Sequence, residues 1–537
     1  MTRTLILAAL SAGLLTTTQA SARGFKPTLE LNVLGTYESA VFDEGAAEIV
    51  AYDAFTRRAF VVNSNDTTVD VLDLSNPREP TKIDAINVTQ VADSLGNANS
   101  VAVDRGLLAV AVERDPKQQN GIVAFYSTAS LALLGFVEVG PLPDMLTFTP
   151  DGKRVLVANE GEPDDDYVVD PEGSVSIIDL RRGISRARVR TARFRRFNKR
   201  ADELRASGVR IFGPGATVAQ DLEPEYITTD SRGRFAYVAL QENNALAVVN
   251  IRRARVVDIV PLGFKDHTTP GNEFDASNRD DAINLQSWPV FGMYQPDSID
   301  SYRFRGETYL VTANEGDARD YDGFSEEERM GDLPLDPNVF PNAAELQQDE
   351  HLGRLNSTTT LGDIDGDGLY EELYAYGARS FSIWDSRGSL VWDSGNDFES
   401  ITANLLPQDF NSTNDENGSF DNRSDDKGPE PEGIVLGRYF GRTLAFVGLE
   451  RIGGIMVYDI TNPESAEFVQ YINTRDFSVD IQALADAGDF SAAGDLGPES
   501  IKFVAASDSP NGQDLIVVGN EVSGTTAIFA ITVVSDE

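Results

Sequence analysis

The chain repeats short apolar runs bounded by turn residues, not the three-and-four spacing of an amphipathic helix. Each repeat opens on an acid, enters an apolar run, turns, and continues through a second apolar run that ends on an acid or amide. Clear openings are Pro224-Glu-Tyr-Ile227, Pro296-Asp-Ser-Ile299, Pro431-Glu-Gly-Ile434 and Pro498-Glu-Ser-Ile501, with weaker ones at Glu48-Ile49, Asn99-Ser-Val101 and Asp144-Met-Leu146. A third apolar run follows, as in Val175-Ser-Ile-Ile-Asp179. One small sheet cannot cover both of its faces, so repeated sheets pack around an axis. The pattern therefore predicts an all-β fold, a single β-propeller of seven four-stranded blades over residues 31–535. Long inter-strand insertions are expected at about 181–222, 264–294, 322–353, 396–428 and 473–497, and the fifth repeat is split by about forty polar residues.

Composition narrows the chemistry. The formal charge of −41 argues against nucleic acid and against anionic membranes as general partners, and favours cations. There is no cysteine, so disulfides, thiol nucleophiles and Cys-metal sites are excluded. With only His267 and His351, a three-histidine zinc site is excluded and a Ser-His-Asp triad is disfavoured. Arg3, the apolar stretch Leu5 to Leu15 and Ala20-Ser-Ala22 read as a signal peptide over residues 1–22. No later stretch is long enough to span a bilayer, so a secreted or periplasmic protein is expected. One segment opposes the acidic trend: Arg181 to Arg210 holds twelve Lys or Arg against two acids, with Phe194, Phe197, Leu204 and Val209 interleaved. It predicts a short basic helix around Ala192–Ala206, either docked on the acidic body or presenting an anion-binding or partner-binding patch.

In a propeller the strand ends converge on the axis, so acids far apart in sequence become neighbours. Glu48, Asp144, Glu225, Asp297, Glu432 and Glu499 open first strands, while Glu113, Glu160, Glu242, Glu315, Glu450 and Glu521 close second strands. Such a ring repels itself unless cations or arginines neutralise it. Oxygen ligands without His or Cys select Ca²⁺ first and Mg²⁺ second. The alternative is that these acids cap turns or pair with Arg319, Arg379 and Arg451. Two loops share the motif N-E-G-[ED], Asn159-Glu-Gly-Glu162 and Asn314-Glu-Gly-Asp-Ala-Arg-Asp-Tyr321, whose glycines allow tight turns beside carboxylates. The candidate metal ligands at the rim are Glu160, Glu225, Asp320, Glu432, Glu450, Glu499 and Glu521. A separate calcium loop is read at Gly362-Asp-Ile-Asp-Gly-Asp-Gly368, with Asp363, Asp365 and Asp367 closed by Glu371 or Glu372.

Asn314 to Tyr321, Ile283 to Asp297, Gly362 to Gly368, Gly377-Ala-Arg-Ser-Phe-Ser-Ile-Trp384 and Asn520-Glu-Val-Ser-Gly-Thr-Thr526 together resemble the choice-of-anchor I family. That family consists of exported β-propellers and is similar to mesenchyme-specific cell-surface glycoproteins. Some bacterial members are labelled alkaline phosphatase. The resemblance implies a propeller across nearly all the mature chain; no C-terminal anchor is read here, which favours a free protein. The expected function is an exported calcium-binding propeller. If it is an enzyme, it is a metal-dependent phosphomonoesterase in which Glu315 and Asp317 serve the ions and Arg319 clamps the developing charge of a phosphoester or other oxyanion. The alternative is a non-catalytic extracellular scaffold, matrix or adhesion protein. No nucleophile is identified, and oligomeric state is not readable.

Overall fold

Runs such as Arg154–Asn159 and Ser174–Asp179 bury side chains on both strand faces, as strands do when a layer packs against each side of their sheet. The computed structural model, which describes residues 29–533, builds seven four-stranded antiparallel sheets from them. Their innermost strands are Val50–Asp53, Leu95–Asp104, Pro143–Phe148, Ile227–Thr229, Ile299–Phe304, Pro431–Tyr439 and Pro498–Val504. Successive sheets face each other across apolar clusters, from Phe60 against Val110 between the first and second to Val61 against Val517 between the seventh and first. The ring is therefore closed. A central channel of about 450 Å³ is lined from every innermost strand, by Val50, Val101, Leu146, Ile227, Ile299 and Ile434, with Ile501 from the last.

Closure uses both ends of the described chain. Leu29–Glu38 is the outer strand of the seventh sheet and pairs antiparallel with Thr525–Val533, Leu29 opposite Val533 and Glu38 opposite Thr525. The innermost strands are also tied together by polar side chains. The Ser500 hydroxyl accepts from Val50 N (3.0 Å) and donates to Glu48 O (2.6 Å). Ser100 accepts from Leu146 N (3.2 Å), and the Asp300 carboxylate accepts from Leu436 N (3.0 Å). Such bonds satisfy backbone groups that the channel would leave unpaired.

The split fifth repeat resolves into Ile299–Phe304, Glu307–Asn314, Ser380–Asp385 and Leu390–Asp393. Tyr374–Ala375 is not part of this sheet. It joins Phe264–Asp266 and Phe291–Met293 in a small separate sheet over the insertions, which have their own core of Phe274, Trp288, Met330 and Leu355. The basic segment forms a 3₁₀ turn, Arg195–Arg200, and a helix, Ala201–Ser207, that ends on left-handed Gly208. Phe194, Phe197, Leu204 and Val209 insert between the third and fourth sheets. The expected export segment, residues 1–22, lies outside the described residues.

Candidate metal centre at an acidic rim

All twelve acids at the strand ends act on one another at one mouth of the ring. Glu48 is pushed up to about 7 by burial and by Glu521, Asp144 and Glu113. Asp144 is pushed up to about 7 by burial and then by Glu162, Glu242 and Glu113. Glu225 rises well above the carboxylate range because it is buried and faces Glu242, Glu160 and Asp297. Glu432 and Glu499 are raised in the same way, the former by burial with Glu450, Glu499 and Glu315, the latter by burial with Glu521 and Glu48. Burial and mutual repulsion thus both disfavour the charged forms of these carboxyls.

The rim has two unlike halves. Around Glu315, Glu430 and Glu450 the protein supplies its own cations. The Lys427 ammonium lies 2.6 Å from Glu315 and 3.1 Å from Glu430, Arg423 is 2.6 Å from Glu430, and Arg451 reaches Glu430 (2.9 Å) and Glu450 (3.1 Å). Amides complete the set, Gln241 donating to Glu315 and Asn414 to Glu450. These neighbours hold Glu430 far below the usual carboxylate range despite its burial. The oxygens of Glu315, Glu430 and Glu450 lie close enough to share an ion, but lysine and arginine already occupy that role.

Around Glu160, Glu225 and Glu242 no lysine or arginine among the described residues lies at ion-pair distance. One oxygen from each lies within 4.8 Å of the others. Glu225 and Glu242 are 7 % and 6 % exposed, and each has one oxygen with no hydrogen-bond partner among the described residues. Leaving a buried carboxylate oxygen unsatisfied costs several kcal/mol, a cost that a shared proton or a cation would relieve. The nearest protein cations are engaged elsewhere: Lys117 with Glu162, and Arg319 with Asp221 and Glu223.

The N-E-G loops show how the sequence aims these glutamates. The Asn159 amide donates to Ser174 and Ser176, and that of Asn314 to Ser380 and Ser382, so each asparagine fastens the end of a second strand to the third. Gly316, at φ +95°, then lets the chain reverse where a Cβ would lie 2.1 Å from Gly377 N.

The three nominated catalytic residues divide. Glu315 and Asp317 line the rim, where the side chain of Asp317 is exposed and the surrounding protein, with Glu242 and Glu315, raises its carboxyl above the ordinary value. Arg319 does not face it as a free clamp. It is 1 % exposed, its three guanidinium nitrogens are bound by Asp221 and Glu223, and it stacks on Phe212 at 4.5 Å. Asp320 is exposed on a small hairpin, Asp320–Tyr321 against Phe324–Ser325, away from the buried carboxylates. Glu432, Glu499 and Glu521 are on the rim without forming a tight three-oxygen group. Glu242, the third member of the open cluster, closes a second strand at Gln241-Glu242 like the other ring acids; the ring pattern contained it, but sequence spacing could not rank it above them.

The loop after Gly362 brings Asp363, Asp365 and Glu371 within 4.8 Å of one another, while Asp367 turns to cap Leu369 N instead. Asp363 also accepts from Gly366 N and Gly368 N, and Glu371 accepts from Ile364 N. Glu372 is taken by the Tyr374 hydroxyl (2.5 Å).

Fold and rim together define a class: a closed β-propeller with an acidic mouth. Residues 48–463 match the choice-of-anchor I domain, and the chain belongs to that family. It is 32 % identical over 191 residues to Gigasin-3a of Magallana gigas, covering 35 % of this chain and 66 % of that protein. It is 28 % identical over 314 residues to a mesenchyme-specific cell surface glycoprotein of Strongylocentrotus purpuratus, covering 50 % of this chain and 40 % of that one. The chain thus spans less than two thirds of either relative. Among solved structures it resembles Kuenenia stuttgartiensis hydrazine synthase (TM-score 0.44, 11 % identity, 92 % of this chain and 97 % of that one). It also resembles the WD40 domain of Toxoplasma gondii coronin (TM-score 0.44, 9 % identity, 95 % and 88 %). No helix among the described residues is long and apolar enough to cross a membrane.

Proposed function

We propose that this protein is an extracellular propeller that binds Ca²⁺ at the rim between Glu160, Glu225 and Glu242, with a second ion in the Asp363–Asp365–Glu371 loop. It acts as a calcium-loaded binding scaffold. The observation that carries the reading is the pair of unpartnered, nearly fully buried oxygens of Glu225 and Glu242. Hard oxygen donors from flexible carboxylates favour Ca²⁺ over Mg²⁺, which demands a tighter octahedron. A location outside the cell is supported by the cell-surface relative and by the expected export segment.

A scaffold is favoured over a phosphoesterase because Arg319, the arginine suited to stabilise a phosphoryl transition state, has every nitrogen bound within the fold. Calcium titration calorimetry of the wild type, Glu225→Gln and Glu242→Gln, paired with p-nitrophenyl phosphate hydrolysis, tests this. The scaffold reading expects binding that each substitution weakens and no turnover. Calcium-dependent turnover lost in Glu242→Gln would replace it with the hydrolase reading, and calcium affinity unchanged in both variants would remove the rim site.

A further inference from the structure

The arginines of this chain fall into two populations. Buried Arg210, Arg319 and Arg379 and half-buried Arg423 each meet a buried carboxylate, and buried Arg475 is held by backbone carbonyls. Several on the outer edge of the third and fourth sheets do not. Among the described residues, Arg154, Arg188, Arg232, Arg252 and Arg253 have no acidic side chain at ion-pair distance, and the buried Nε of Arg154 has no hydrogen-bond acceptor. Arg181 pairs with Asp179 and Arg234 with Asp230.

Local folding explains why these cations gather. The outer strand of the third sheet, Arg188–Arg193, alternates so that Arg188 and Arg190 point to one side about 7 Å apart. The 3₁₀ turn Ile251–Arg253 delivers Arg252 and Arg253 from the fourth sheet. Arg190 bridges the two sheets by donating to Arg252 O (3.0 Å) and Ile251 O (3.4 Å). Two adjoining clefts result, of about 720 and 790 Å³, which share Arg154 and Arg252 as a common wall. A concentration of like charge in a chain of net −41 calls for a multivalent counterpart.

We infer that these clefts bind an acidic polysaccharide, a linear chain carrying sulfate or carboxylate groups. Guanidinium forks match such oxyanions with paired hydrogen bonds. Val189 and Phe235 also line the clefts, offering apolar surface to the C–H faces of sugar rings, which a polyphosphate lacks. A single-stranded nucleic acid would seek aromatic platforms for its bases. Phe235 is the one aromatic lining the clefts among the described residues, and the exposed phenylalanines Phe55, Phe136, Phe440 and Phe468 lie on other sheets. The site is independent of the calcium rim.

The test measures binding of the full chain to dextran sulfate and to alginate at about 50 mM salt and at rising salt, with polyphosphate and an oligothymidylate as contrasts. Arg188→Glu/Arg252→Glu/Arg253→Glu should weaken polysaccharide binding at least tenfold with an unchanged melting temperature. Arg188→Gln/Arg252→Gln/Arg253→Gln should give an intermediate loss. The control Arg78→Glu/Arg387→Glu/Arg438→Glu, which makes the same charge change on other exposed edges, should shift it less than twofold. Failure of both polysaccharides to bind, equal losses in patch and control variants, or tighter binding of polyphosphate or oligothymidylate would overturn the assignment. So would a dimer, seen by sedimentation, that only the patch variant dissolves, since the clefts would then hold a second copy of the chain.

Discussion

Replacing Glu242 with glutamine keeps the shape of the side chain and removes its charge, so the sign of the effect depends on whether the rim holds an ion. Oxygens of Glu160, Glu225 and Glu242 lie within 4.8 Å of one another, and at an effective dielectric of about 20 each charged pair at that distance repels by about 3.5 kcal/mol. Burial and mutual repulsion raise all three carboxyls, so that proton uptake offsets part of this repulsion, and Glu242→Gln should stabilise the metal-free protein by about 1–2 kcal/mol at pH 8. The calcium-loaded protein loses an anionic ligand. A cost of about 2 kcal/mol corresponds to roughly 30-fold weaker binding. For 537 residues, an unfolding entropy of about 2.1 cal/mol/K per residue converts 1 kcal/mol into about 1 °C. Scanning calorimetry should therefore show the variant melting about 1–2 °C above the wild type in chelator and below it in saturating Ca²⁺, with the affinity change read by titration. A variant less stable than the wild type in chelator, with calcium affinity within twofold of it, would refute the reasoning.

Three further outcomes follow from the same geometry. Lys427→Met strips Glu315 and Glu430 of a shared ammonium, so the metal-free protein should lose about 3–5 kcal/mol and regain more stability from Ca²⁺ than the wild type does, as measured by melting with and without the ion. His267 is buried between Lys265 and Arg379 and is lowered to about 3 by that burial, while its Nδ1 lies 2.6 Å from Asn272 O. The unfolded chain binds the proton first, so this contribution is full above pH 6.5 and falls by about 1.4 kcal/mol per unit as pH drops toward 3; His267→Asn should remove about 2 kcal/mol of the stability difference between pH 7 and pH 5 in denaturant titrations. Asp365→Ala, on the exposed loop, should reduce bound calcium by one ion by mass spectrometry and expose residues 362–371 to protease even in Ca²⁺, while the melting temperature moves by no more than about 1 °C.

Much of the fold is legible in the sequence because one physical constraint repeats. Each second strand, such as Arg154–Asn159, is buried on both faces and reads as an uninterrupted apolar run closing on an asparagine or acid. The ring of twelve acids follows from the same regularity. What pairs across the chain is not legible: Leu29–Glu38 closes the seventh sheet against Thr525–Val533 through a register that no local pattern specifies. Tyr374–Ala375 lies between the two halves of the split fifth repeat, and parallel pairing with Phe291–Met293 places it in a separate sheet. The division of the rim is likewise hidden, because Lys427 and Arg423 come from a polar insertion whose sequence carries no periodic signal. Arg319 sits amid acids in the sequence, and only the packing shows that Asp221 and Glu223 claim it.

The central claim is that the rim is split, one half open to a cation and the other closed by lysine and arginine. Crystals grown in Ca²⁺ and measured at long wavelength test it directly through the anomalous scattering of the ion. The account predicts a peak between the carboxylates of Glu160, Glu225 and Glu242 and none between Glu315, Glu430 and Glu450. A peak at the second position, or an empty first one, would contradict it.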